Sequence, residues 1–410
     1  MTTAQHGPWL RDLRRAAETR AQAQGLPSRR DEAWKYTDLA ALGVAGFPVA
    51  GPDAGEMPAV PGLANAVRIV LVNGALAHLP EGIAGLAVDR LDGQGQAGVV
   101  QAHLGRAIPG DSKSLAAMNG ALFTDGVVLR VTGVVAQPIE ILSYGRAVDG
   151  ALAFHPRCLV VVEENAQATL FERHLGQGRT FSNSVVEVSL AEGASLTHYV
   201  LQDEGPDAVH VGTLGVSLAA GAVYAGVLAQ TGARLARREV HTALCGEDAS
   251  FSLDGAYLGR GRQHIDNTTF VTHAAPGGAS RQVFKGVLDD HARGVFQGSV
   301  LVERGAQRTN AHQLSKSLLL SAHAEMDGKP ELEIYADDVK CGHGCTVGDI
   351  DEDALFYLRA RGIGEAEARR LLIEAFLVDV LDRIDLPAVA DTFSAAFVAH
   401  LARDPSQEKD

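Results

Sequence analysis

Aromatic residues are scarce in this chain: 2 Trp, 7 Tyr and 13 Phe make up 5% of its 410 residues. A core built without them must be filled by Val, Ala and Leu. Cysteines number four (Cys158, Cys245, Cys341 and Cys345), too few in so long a chain for a secreted disulfide framework. Positive charge is in deficit, with 36 Lys+Arg against 50 Asp+Glu and a net charge of −14. Phosphate backbones repel such a chain, and no basic stripe with interleaved aromatics offsets this, so no nucleic-acid partner is expected. No apolar run reaches the ~18 residues needed to span a membrane. The opening segment MTTAQHGPWLRDLRR has no apolar signal core. The expectation is a reduced, cytoplasmic protein that engages neither membrane nor nucleic acid.

Apolar residues are plentiful at 46%, and 45 glycines lie scattered along the chain. That is more glycine than the usual ~7%, and its spread suggests many turns rather than one linker. From Gly126 onward, short apolar strands such as VVLRV, CLVVVEE, ATLFERHL and SLTHYVLQ alternate with small turn residues. The turn markers Ala166, Gly193, Gly221 and Asp248 stand 27, 28 and 27 residues apart. A period of about 20–50 residues points to units that bury their faces on their neighbours. Strands without intervening helices exclude a doubly wound sheet. The fold class expected is mainly β, a right-handed parallel β-helix, with a β-sandwich as the alternative.

Helical segments flank this core. The region up to about Leu42 reads as helical, with Leu10, Leu13 and Ala17 at helical spacing before Gly25-Leu26-Pro27 breaks the pattern, and Ala116 to Phe123 suggests a short helix. Near the carboxyl end, Ile373, Phe376, Leu377, Val380, Leu381 and Ile384 follow the rhythm of an amphipathic helix. The expected division is an N-terminal helical region and linker over 1–65, a β-helix core over 66–348 and a C-terminal helical domain over 349–410.

Chemistry concentrates in ELEIYADDVKCGHGCTVG, Glu331 to Gly348. Ile334, Ala336 and Val339 fit a buried strand running into Cys341-Gly342-His343-Gly344-Cys345. In extended backbone Cys341, His343 and Cys345 share one face, while Gly342 and Gly344 admit another backbone on the other. Two thiols and an imidazole suit zinc or iron–sulfur chemistry. A complete site needs about four ligands, so either another segment or chain supplies the fourth or the set is incomplete. Asp337 and Asp338 are neighbours on a strand and face opposite ways, so they read as turn or partner contacts rather than paired catalytic carboxylates; Lys340 joins them as a contact candidate. Phe376 is either core of the tail or part of a docking face. Cys158 and Cys245 read as packing. His264, His273, His291, His312 and His323 match no familiar metal spacing and read as surface or turn residues.

YADDVKCGHGCTVGDIDEDALFYLRARGI resembles the signature of the SufB/SufD family of iron–sulfur cluster assembly scaffolds. SRRDEAWKYTDL, FKGVLDDHARGVFQG and AQRTNAHQLSKSLLLS agree, so the resemblance runs from about residue 27 to about residue 377. Within the family the chain is similar to the SufD branch. SufB-like chains carry a cysteine where Ser315 stands and a glutamate where Gly344 stands, and they are usually longer. Cys345 departs from the small residue common at its position.

The resemblance implies a heterodimer with SufB, joined along the ends of the β-helices, and SufC ATPase copies docked on the helical tails. A transient iron–sulfur cluster or iron would sit at the SufB–SufD interface, with His343 as ligand and sulfur from a cysteine desulfurase. A homodimer is the corresponding expectation for the isolated chain. Reduced flavin is associated with such complexes, but no G-x-G-x-x-G follows a strand here. The chain also lacks a G-x-x-x-x-G-K-[ST] loop, so it is not expected to hydrolyse ATP alone, and the resemblance implies a non-catalytic scaffold subunit whose ATPase activity resides in SufC. Two rival readings are a carbohydrate-active β-helix enzyme, disfavoured by the few aromatics, and a purely structural assembly protein without cluster chemistry.

Overall fold

A computed structural model of the chain describes residues 8–52, 55–110, 112 and 115–402. The regular turn markers become the corners of a parallel β-solenoid of about 8 turns. Asn165, Gly193, Gly221 and Asp248 take φ of 57°, 66°, 62° and 57°, a left-handed conformation that Gly, Asn and Asp tolerate best. At each corner the backbone N–H donates to a carbonyl of the next coil: Asn165 to Glu192, Gly193 to Ala220, Gly221 to Glu247 and Asp248 to Pro276. The corners therefore stack, which is why the sequence repeats.

Between corners every strand pairs in parallel with its counterpart in the neighbouring coils. One sheet runs through Ser195–Glu204, Val223–Gln230, Ser250–Gly259, Ala279–Leu288, Asn310–Leu319 and Lys340–Gly348. The facing sheet runs through Val209–Leu218, Leu235–Leu244, His264–His273, Arg293–Val302 and Glu325–Ile334. Alternation along each strand sends Leu196 and Val200 of the first sheet and Leu214, Val216 and Leu218 of the second into a shared lumen. Aliphatic side chains dominate that core, with Tyr224, Phe251, Tyr257, Phe284 and Phe296 as its aromatic members.

The two ends of the lumen differ. At the first coil Val67–Val72 and Ala75–His78 form an antiparallel hairpin, and Leu76, Leu79 and Ile83 pack onto the core. At the last coil, Lys340–Gly348 pairs with Asn310–Leu319, and Glu325–Ile334 with Arg293–Val302. Among the described residues no further coil follows them.

Both outer faces are covered. The N-terminal helix spans Pro8–Gln24 and then stops, because Gly25 turns at φ 65° ahead of Pro27. Beyond that break, the remainder of the region read as helical up to about Leu42 holds only short 3-10 turns at Glu32–Trp34 and Ala40–Leu42, followed by another at Val44–Gly46. Trp34 is fully buried against Phe181, Val209, Val211 and Leu235, with the Arg237 guanidinium 3.9 Å from its ring centre. The opposite sheet carries Glu352–Ala360, Glu365–Leu381 and Pro387–Ala402. Here Ile373, Leu377, Val380, Phe393 and Phe397 pack on Phe171, Tyr199, Val227, Leu258 and Val287. Each such burial contributes about 1.5–3 kcal/mol, so the tail is tied firmly to the solenoid. Its first helix is capped by Asp351, whose carboxylate accepts from the Asp353 and Ala354 N–H groups.

Candidate functional site

The apolar rhythm of Ile334, Ala336 and Val339 does not form one strand with the cysteines. The chain leaves its strand at Ile334, turns through residues 335–339 and enters the next strand at Lys340. Ala336 is nevertheless 7% exposed and packs on the lumen core, which explains the strand-like pattern. Asp337, Asp338 and Lys340 are exposed on this corner. The Asp338 N–H donates to the Gln307 side chain at 2.9 Å, and its carbonyl accepts from the Arg308 N–H at 2.6 Å.

Cys341, His343 and Cys345 do share a face, and it is the lumen face. Their registered neighbours one coil back are Ala311, Gln313 and Ser315, and behind those stand Ser280, Gln282 and Phe284. Same-face positions on a strand lie roughly 6.5–7 Å apart, so the three form a row and do not converge on one ion. Burial raises the thiol pKa of half-buried Cys341 against a hydrogen bond involving the Ala311 backbone, so it stands as a neutral thiol. His343 and Cys345 are exposed. Cys345 Sγ leans over Gly328 of the facing strand, where a Cβ would collide with it. Below the row, Gln282, Gln313 and Ser315 are buried, and their side-chain polar atoms have no hydrogen-bond partner. The open end therefore presents single ligand atoms above a polar floor. Gly342 and Gly344 face the His312 and Leu314 side chains, 3.6 and 3.2 Å from where a Cβ would sit, rather than a second backbone.

Deeper in the lumen the fold brings together groups that sequence reasoning missed. Glu172, His174, His198, Glu204, His210 and Arg238 all point inward and are all buried. Glu172 accepts from His174 Nε2 at 2.7 Å and lies 3.1 Å from His198 Nε2; Arg238 Nη2 is 3.7 Å away. Glu204 lies 2.7 Å from His210 Nδ1 and accepts from Gln202 Nε2 at 2.5 Å. Burial alone would raise the Glu172 carboxyl, yet His174, Arg238 and the imidazole hydrogen bonds hold it well below the usual range. The same contest, with His210 as the main opponent of burial, leaves Glu204 at about 2. Burial lowers His198 and His210 despite their carboxylate neighbours. A local signal existed for one pair only: Glu172-x-His174 inside a strand places both on one face. Glu239-x-His241 repeats it on the outer face, where Glu239 is 2.9 Å from Arg237 and 2.8 Å from His241.

Other expected positions fall as follows. Cys158 is buried in the lumen core, whereas Cys245 is exposed and not packed. The surface reading fails for His273, which is buried 2.8 Å from Ser280, and for His264, which lies 2.9 Å from Thr37 beneath the N-terminal segment. His291 and His323 stack on each other with ring centres 4.9 Å apart. Phe376 is half-buried; Lys285 Nζ lies 5.0 Å from its ring centre and donates to its carbonyl at 2.7 Å. The tail's exposed aromatics are instead Phe356 (74%) and Tyr357 (57%).

Residues 145–376 match the family model described as SUF system FeS cluster assembly, SufBD core domain. An iron–sulfur cluster assembly SufBD family protein of Synechocystis is 33% identical over 387 residues, covering 89% of this chain and 85% of that protein. The iron–sulfur cluster assembly protein SufD of Escherichia coli is 30% identical over 374 residues, covering 88% and 86%. The SufD of Bacillus subtilis is 29% identical over 285 residues, covering 68% and 65%. No helix among the described residues is long and apolar enough to cross a membrane.

Proposed function

The chain belongs to the SufB/SufD family of iron–sulfur cluster assembly proteins, and from that premise we propose that it is a non-catalytic scaffold subunit. Its open solenoid end joins a SufB-type partner, and nascent clusters form at the junction. One observation carries this reading: the last coil leaves its lumen face uncovered and sets His343 and Cys345 on it. A row unable to surround an ion alone becomes a half-site once a second chain supplies the remaining ligands. Iron or the cluster is then cargo at the junction. His343 is the main ligand from this side, Cys345 the secondary one, and Cys341 a neutral thiol at the rim. Asp337, Asp338 and Lys340 provide polar contacts around it. The SufC ATPase docks on the helical tail, where Phe356 and Tyr357 are exposed and Phe376 helps hold the tail to the solenoid. Four unpaired thiols suit the reducing cytoplasm.

The test is co-purification with SufB and SufC followed by anaerobic reconstitution with iron and sulfide. The expected result is that wild type and His343→Ala both form the complex, and that only the variant loses cluster absorbance. Equal clusters in both would remove His343 from the site. Val347→Arg, at the same open end, is expected to abolish the complex with SufB; an unchanged complex would mean that the partner binds elsewhere.

A further inference from the structure

We propose that His174, Glu204 and His210 form a second, internal site for one divalent transition-metal ion of the zinc or ferrous class, deep in the lumen and separate from the open end. The site lies wholly within this chain and does not depend on the partner reading above.

Each of the three residues offers a ligand atom, and these atoms lie within 4.8 Å of one another. Among the described residues no other group of His, Cys, Asp and Glu has that arrangement. Ligands around a tetrahedral ion with ~2.1 Å bonds stand roughly 3.4 Å apart, so small side-chain rotations close the set. Two imidazoles and a carboxylate are the donors that zinc and ferrous iron share.

The surroundings are those of a ligand shell. His174 Nε2 is engaged by Glu172, while its Nδ1 is buried without a hydrogen-bond partner. A carboxylate on one ring nitrogen fixes the imidazole so that the other nitrogen presents its lone pair, as metal-bound histidines commonly do. Glu172 is itself held by His198, and Gln202 holds the second oxygen of Glu204. Two carboxylates, Glu172 and Glu204, are buried beside one guanidinium, a surplus of acidic groups that a bound cation would complement. Arg238 Nη1 is buried without a hydrogen-bond partner, so the guanidinium that faces Glu172 through Nη2 has a donor left for a water or small anion as a further ligand. The rings of His174 and His210 are 4.5 Å apart between centres, close enough for both imidazoles to reach one ion.

The chain supplies these residues from one coil to the next, so the ion would be enclosed as the solenoid winds. The experiment is therefore done on full-length protein purified anaerobically without chelator, and on protein refolded with one equivalent of Co(II). Metal content and the X-ray absorption of the bound metal are measured. We expect close to one metal per chain, with a nitrogen and oxygen shell that includes imidazole and no sulfur. A Cys341→Ser/His343→Ala/Cys345→Ser variant should retain it, and Glu204→Gln should bind at least about tenfold less. A sulfur-containing shell, or loss of metal in the open-end variant, would assign the ion to the last coil and overturn the proposal. So would absence of stoichiometric metal in both preparations. Should Glu204→Gln fail to fold, the absorption spectrum of the wild type still decides.

Discussion

His198 and His343 stand in the same column of the lumen, linked in register through Gly226, Leu253, Gln282 and Gln313. His198 is fully buried, within hydrogen-bond distance of Glu172 and the Tyr224 hydroxyl, while His343 is exposed. Backbone environment and side-chain direction are alike; only the presence of a coil on the far side differs. In a solenoid, position along the stack thus decides whether a polar residue becomes an internal strut or an exposed side chain at the rim.

That contrast can be broken most severely at the buried end. Glu172→Ala leaves two imidazoles and a guanidinium without their shared carboxylate, and a loss of about 3–5 kcal/mol is expected in a denaturant melt. A loss below about 1 kcal/mol would mean that the middle of the lumen is well hydrated. Leu253→Ala, in the same column, should cost about 2–5 kcal/mol by the same measurement, because the stacked coils cannot collapse into the cavity.

Acid should act on the buried titratable groups. Burial lowers His155 and His273 to about 4. Glu204 and Glu239 stand at about 2 although burial opposes it, with His210 foremost for Glu204 and His241 and Arg237 for Glu239. In each case the unfolded chain binds protons at a pH where the fold refuses them. Stability is therefore complete above about pH 6.5, the ordinary histidine value, and falls with pH, first through the histidines and then through the carboxylates down to about pH 2. A melting temperature unchanged between about pH 7 and pH 4 would contradict a proton-excluding interior. His343→Ala, at an exposed position, should differ from wild type in stability by no more than about 0.5 kcal/mol in a denaturant melt. A larger loss would make His343 structural and erase the contrast.

Some of this was legible in the sequence, for definite reasons. The coil period showed because a corner at positive φ restricts residue choice, as at Asn165, Gly193 and Gly221. The shared face of Cys341, His343 and Cys345 showed because strand alternation is strict. The turn at residues 335–339 did not, since Ala336 packs inward from the corner just as a strand residue would. Cys158 and Cys245 looked alike in local context, yet only the first points into the core. The lumen cluster was least visible: Glu172, Glu204 and Arg238 lie far apart in the chain, and only winding brings them together.

The uncovered last coil also bears on how much of this chain a cell can safely make. Its outermost strands are β edges beside an apolar rim of Leu332, Ile334 and Val347, and such edges accept any strand of matching register, including a copy of themselves. High concentrations of the chain should therefore fill these ends with self-pairs, so that the share of molecules with a free end falls as the amount of the chain rises.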